Sequence, residues 1–179
     1  ILSAAACETE PYTQITLYQG LPKADKMEWI IQKCVELGVD RIVPVATERT
    51  IVKLEKKEGR KLERWQKIAE AAAKQSGRGK IPCVGPSVLT FAQAAAEAAK
   101  MDGALIPYEK EEHCGIRTFV QRGTGRHIGV FIGPEGGFSE MEIQMAEESG
   151  ILPVTLGKRI LRTETAGMVA IALLLYELG

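Results

Sequence analysis

The sequence predicts one α/β domain with a mainly parallel sheet, and three observations carry that prediction. Short apolar runs alternate with longer segments of helical spacing along the whole chain. The runs are short and apolar, as in strands buried on both faces, with only weak alternation in Ile15 to Tyr18. The chain has 179 residues, 45% apolar and 26% charged, which are the proportions of a globular domain.

Ile15 to Tyr18 reads as the first strand. Asp25 and Glu28 have capping-box spacing ahead of Met27, Ile30, Ile31, Cys34 and Leu37, with Gly38 placed to end that helix as its C′ residue. Ile42 to Val45 is a short strand in which Pro44 implies an edge or a strand end. From Arg60 to Gln75, an apolar stripe of Leu62, Trp65, Ile68 and Ala72 predicts a helix closed by the Ser76-Gly77-Arg78-Gly79 turn. Phe91 to Lys100 is helical by propensity. Strands follow at Ala104–Pro107 and Ile128–Ile132, with a helix near Ile116–Gln121 between them. Ser139 and Glu142 form a capping box for a helix reaching Glu148. Val154–Leu156 is the last strand, and Thr163 is placed to cap a final helix to Leu178.

Net charge is zero, with 23 basic and 23 acidic residues, so no global field advertises nucleic acid or membrane. Locally the balance breaks: residues 49–80 carry net +7 between acidic flanks. A solvated helix with the i,i+4 pairs Glu63–Lys67 and Glu70–Lys74 is one reading of this island; a phosphate-binding surface is the other. The longest apolar run, Ala166 to Tyr176, is too short to span a bilayer. Cys7, Cys34, Cys83 and Cys114 fit a reducing cytoplasmic setting, and with His113 and His127 they make no metal-ligand spacing. No metal is expected.

Ligands of parallel sheets bind where strands run out into loops. Three such loops stand out. One is Leu105-Ile106-Pro107-Tyr108-Glu109. The second, Ile132-Gly133-Pro134-Glu135-Gly136-Gly137-Phe138-Ser139, holds three glycines before a capped helix but matches neither common nucleotide-binding pattern. It reads either as a close backbone approach to a ligand or as a tight structural turn. The third, Leu156 to Gly167, combines Lys158, Arg159 and Arg162 with Ile160 and Leu161. That apolar pair implies packing against something, and the final helix implies burial in the core or in an oligomer contact.

The segments Lys33-Cys34-Val35-Glu36-Leu37-Gly38, Glu48-Arg49-Thr50, Arg64-Trp65, Gln75-Ser76-Gly77-Arg78 and Ile81-Pro82 occur in this order. With I-G-P-E-G-G-F-S from Ile132 and L-G-K-R-I-L-R-T-E-T-A from Leu156, the chain resembles the RsmE family of SPOUT-class RNA methyltransferases. The resemblance runs from about residue 12 to the end. It implies an α/β knot with a mainly parallel sheet, a C-terminal trefoil knot and a homodimer formed partly by the final helix. It also implies S-adenosyl-L-methionine as cofactor. The substrate it implies is N3 of a uridine, position 1498, in 16S ribosomal RNA of the small subunit. Such enzymes begin with a PUA-like RNA-binding domain. Residues 1–11 are expected to be its remnant or a linker, and 12–179 the methyltransferase domain.

By the same resemblance, the three loops form the cofactor pocket. Leu105, Ile106 and Pro107, then Ile132, Gly133, Pro134, Gly136 and Gly137, would hold adenine and ribose. Leu156, Gly157, Ile160 and Leu161 would join them, with Arg162, Thr163 and Ala166 closing the site. Ile132, Ile160 and Leu161 are the expected apolar sandwich around the ring, and a side chain at Gly136 is expected to fill the cofactor's approach. Methyl transfer to uracil N3 needs a cation near the carbonyls as the imide loses its proton. Arg49 and Arg78 are the candidates toward uracil and phosphate, and Arg162 beside the cofactor loop. Glu135 is the candidate for positioning or for accepting the proton. An ordinary ion pair for Arg49 and a solvent-facing turn for Glu135 are the plain alternatives. A knotted RNA- or ribosome-binding module without catalysis is the rival function.

Overall fold

The computed structural model describes residues 8–51 and 58–178. β1 (Gln14–Gly20), α1 (Lys26–Leu37), β2 (Arg41–Ala46) and α2 (Glu58–Gln75) open the chain. β3 (Cys83–Val84), β4 (Leu89–Thr90), α3 (Phe91–Ala98), β5 (Gly103–Pro107) and α4 (Ile116–Gln121) follow. β6 (His127–Ile132), α5 (Glu140–Glu148), β7 (Leu152–Val154) and α6 (Thr163–Leu178) complete it. The sheet order is β3-β2-β1-β6-β5-β7, with β4 also on β2, and every pairing is parallel.

Successive strand residues point to opposite faces, so one strand feeds two cores. Ile15 and Leu17 of β1 pack with α1, α2, α4 and α6 on one face, while Tyr18 packs with α3 and α5 on the other. Val130 and Phe131 of β6 divide in the same way, and Tyr18 stacks on Phe131 at 4.5 Å. Both faces are covered, as the short apolar runs imply.

Local signals explain most boundaries. Gly38 ends α1 in the left-handed region at φ 108°, where its N–H and that of Val39 close on the last turn. The Ser139–Glu142 capping box is formed at both bonds. Asp25, in contrast, makes no side-chain cap, and Glu28 turns outward to pair with Arg64 at 2.8 Å. Pro44 does not mark an edge, because β2 lies inside the sheet. Its neighbours β3 and β4 pair with Arg41–Ile42 and Val45–Ala46, so the break between them falls beside Pro44, where a missing N–H costs least. The last strand sits two residues earlier than its apolar pattern predicts. Pro153 is tolerated there because β7 is the edge strand.

α6 is not buried all round. Gly167, Ala170, Ile171 and Leu174 face the core, whereas Leu173 and Tyr176 are exposed. No helix among the described residues is long and apolar enough to cross a membrane.

Candidate functional site

Because every strand runs the same way, the segments after β1, β2, β5, β6 and β7 all emerge at one edge of the sheet. The loops there are tied together by a few directed bonds. Tyr108 N–H donates to the Val154 carbonyl at 3.0 Å, which fixes the loop after β5 beside the one after β7. The Thr163 hydroxyl donates to the Gly133 carbonyl at 2.6 Å, which fixes the start of α6 to the glycine loop. Gln19 Nε2 donates to Thr163 Oγ1 at 2.9 Å, adding the end of β1.

The glycines are explained in part by the turn itself. Gly137 has φ +66°, and its N–H closes a turn onto the Pro134 carbonyl at 2.9 Å. A Cβ on Gly133 would stand 3.0 Å from the Gly137 Cα, so the loop folds on itself there. A Cβ on Gly136 would meet the Arg49 Cβ at 3.2 Å, so Arg49 packs against this glycine on one side.

Arg49 reaches this edge from the turn after β2. Thr47 and Thr50 close that turn reciprocally, and Glu48 N–H donates to Glu142 Oε1 at 2.9 Å, anchoring it to α5. Arg49 Nη1 then donates to the Gly136 carbonyl at 2.8 Å. Between them lies a cleft of about 220 Å³ lined by Leu21, Lys23, Arg49, Ile51, Pro134, Glu135 and Gly136. That is below the roughly 300–1,000 Å³ of a whole-ligand pocket and suits a single planar ring. A larger groove of about 550 Å³ lies between α1 and α2, lined by Trp29 and Ile68 among others. None of the nominated residues forms its wall.

Glu135 is anchored rather than solvent-facing. Both its oxygens accept from Lys23 N–H, and Oε1 also accepts from Lys26 Nζ at 2.9 Å. Partial burial works to raise its pKa, but the Lys26 hydrogen bond and backbone N–H groups outweigh it and hold the carboxyl below the ordinary value. Such a group is a poor proton acceptor. Lys26 also stands 3.6 Å from Glu164 on the first turn of α6.

Arg78 is not brought to this edge. Its side chain is 4% exposed, pairs with Glu10 at 2.7 Å and donates to the Val35 and Val39 carbonyls at the end of α1. That is the opposite edge of the sheet, where the strands begin. The helix-start role assigned to Thr163 is also corrected: the Arg162 carbonyl accepts from Thr165 and Ala166 N–H, and the Thr163 hydroxyl is spent on Gly133. Ile132 is 2% exposed within the core, so its side chain cannot face a ligand. Leu105 and Ile106 are likewise core side chains and offer only backbone.

The third loop is the open part of the site. Gly157 takes φ +105°, and residues 158–161 make no backbone–backbone hydrogen bond to the rest of the described chain. Ile160 is 89% exposed, so nothing among the described residues covers it. No hydrogen bond or ion pair among the described residues engages the Arg162 guanidinium. Free backbone donors and acceptors beside apolar Ile160 and half-buried Leu161 are groups that could hold a flat heteroaromatic ring with polar edges. Among the described residues no cluster of three His, Cys, Asp or Glu could hold a metal ion.

A family model described as an RNA methyltransferase domain matches residues 8–175. The chain belongs to that family. Within it, ribosomal RNA small subunit methyltransferase E of Bacillus subtilis is 39% identical over 170 residues, covering 92% of this chain and 66% of the relative. The protein of that name from Synechocystis is 38% identical, covering 96% and 56%. The chain therefore spans less than two thirds of the length of either relative. A crystal structure of ribosomal RNA small subunit methyltransferase E from Neisseria gonorrhoeae, bound to S-adenosyl methionine, superposes with a TM-score of 0.85. It is 40% identical, with 94% of this domain and 68% of that chain covered.

Sequence reasoning misses Gln19, Lys26, Glu164 and the second bond of Glu142. Gln19 carried a signal: it is an amide on the same strand face as Ile15 and Leu17, near the strand's end. The other three act through partners distant in sequence, which spacing does not reveal.

Proposed function

We propose that the chain is the catalytic domain of an S-adenosyl-L-methionine-dependent methyltransferase acting on N3 of uridine 1498 in 16S ribosomal RNA. The single observation that carries this is the loop edge itself: three loops joined through Thr163 and Tyr108, with free backbone and apolar side chains in the third. When bound, the cofactor supplies an electrophilic methyl group. The backbone of 105–107, 133–137 and 156–161 binds adenine and ribose, with Ile160 and Leu161 against the ring. Arg49 lines the ring-sized cleft and stabilises negative charge as the imide loses its proton, and Arg162 does the same from the cofactor side. Glu135 orients the glycine loop from Lys23 and Lys26 and stays ionised.

Arg64, Lys74 and Lys80 of the basic island are in ion pairs, while Arg60, Lys61 and Lys67 on α2 carry none among the described residues and are the ones offered to the ribosomal RNA backbone. Lys53, Lys56 and Lys57 lie outside the described residues. The exposed Leu173 and Tyr176 on α6 support a homodimer, and the Thr163–Gly133 bond is compatible with a knotted C-terminus. The enzyme would act in the cytoplasm on small subunits. Small subunits lacking the modification, incubated with methyl-labelled cofactor, should gain label at N3 of uridine 1498. Label at another nucleotide would refute the substrate, and binding of subunits without label would favour the non-catalytic module.

A further inference from the structure

Gln19 is fully buried on the same face of β1 as Ile15 and Leu17, where an apolar residue would pack. A buried amide is costly unless its polar atoms find partners. Here Nε2 donates to the Gly20 carbonyl at 3.0 Å and to Thr163 Oγ1 at 2.9 Å, while Oε1 has no partner among the described residues. The directions are forced. Thr163 has one hydroxyl proton, which goes to the Gly133 carbonyl, so its oxygen must accept from Gln19. The amide is therefore turned to serve Thr163, and its own carbonyl oxygen is left unsatisfied. That oxygen lies 3.8 Å from where a Cβ on Gly167 would stand, inside the start of α6.

The chain Gln19–Thr163–Gly133 joins the end of β1 to the exit of β6 and the first residue of α6. Those are the roots of the glycine loop and of the 156–162 loop. We propose that Gln19 is a positioning residue that, through the Thr163 hydroxyl, sets the spacing of these two loops and thereby the affinity for an adenosyl ligand. This rests on the cofactor placement above. The two residues act in series: without Gln19 nothing fixes the Thr163 hydroxyl from below, and without the Thr163 hydroxyl Gln19 has no route to the Gly133 carbonyl, so losing the second should add little.

The test uses Gln19→Met, Thr163→Val, the double variant and Thr163→Ser, with Gln19→Glu replacing Gln19→Met if that variant does not fold. S-adenosylhomocysteine affinity is measured by calorimetry, and hydrogen exchange is followed at Gly136 and Gly137. Each single variant should weaken binding about tenfold and speed exchange at the loop. The double variant should match the singles, and Thr163→Ser, which keeps the hydroxyl, should recover most of the affinity that Thr163→Val loses. Folded variants with unchanged affinity, or losses that multiply in the double variant, overturn the proposal. If the parent itself does not bind S-adenosylhomocysteine, the cofactor placement fails. Exchange then decides the positioning role alone: faster exchange in both singles upholds it, and unchanged exchange removes it.

Discussion

Replacing Arg78 by alanine separates its two readings, a substrate contact and a strut of the fold. The guanidinium makes four hydrogen bonds: two to the Glu10 carboxylate and one each to the Val35 and Val39 carbonyls. Breaking a fully buried ion pair costs about 3–5 kcal/mol. Glu10 keeps 24% of its side chain exposed and can rehydrate, which moves the expected cost to the lower end. The two carbonyls at the end of α1 lose a donor at about 1 kcal/mol each, partly recovered by water. Together the loss should be about 4 kcal/mol, or a melting temperature lower by roughly 8–16 °C for a chain of this size. Urea and thermal unfolding read it directly. A loss under about 1 kcal/mol, with methyl transfer abolished in a folded protein, would refute the strut and restore the substrate contact.

The same pair makes stability depend on acid. The Arg78 hydrogen bond, opposed by burial, holds the Glu10 carboxyl below its ordinary value of 4.5, so its contribution is complete above that pH and is lost as pH falls through the lowered value. Stability in Glu10→Gln should accordingly vary less between pH 5 and 3 than in the parent; identical slopes in urea titrations would contradict this. Arg49→Ala should lower kcat by at least about 100-fold and leave S-adenosylhomocysteine affinity nearly unchanged, whereas lost affinity would mean that its bond to Gly136 is its main task. Glu135→Gln should cost only a few-fold in activity and keep the shape of the pH–rate profile. A loss of its limb would identify Glu135 as the proton acceptor. Gly167→Ala should stabilise by about 0.5–1 kcal/mol through helix propensity, because the added methyl meets nothing nearer than 3.7 Å. Destabilisation in urea unfolding would show the site to be tighter than that.

Most of the fold could be read from local signals because those signals are local in cause. The apolar spacing of α1, the glycine ending it and the Ser139–Glu142 box each depend on residues within a turn of one another. What could not be read depends on distant partners. β3 and β4 have two residues each, too few to show a period, and exist because β2 offers them an edge. Asp25 and Glu28 have the right spacing, but Arg64, 36 residues away, takes the carboxylate that the box would use. In the site, the loop positions were legible, since each follows an apolar run and carries glycine or mixed charge. The direction of individual side chains was not. Ile132 belongs to a buried face, and Arg78 follows a turn that carries it to the far edge of the sheet.

The central claim is that the three loops hold an adenosyl ligand, and backbone amide shifts on titration with S-adenosylhomocysteine test it most directly. Saturable shifts confined to 105–107, 132–137 and 156–166 are predicted. Shifts centred on the Trp29–Ile68 groove between α1 and α2, or no saturable change at all, would contradict it.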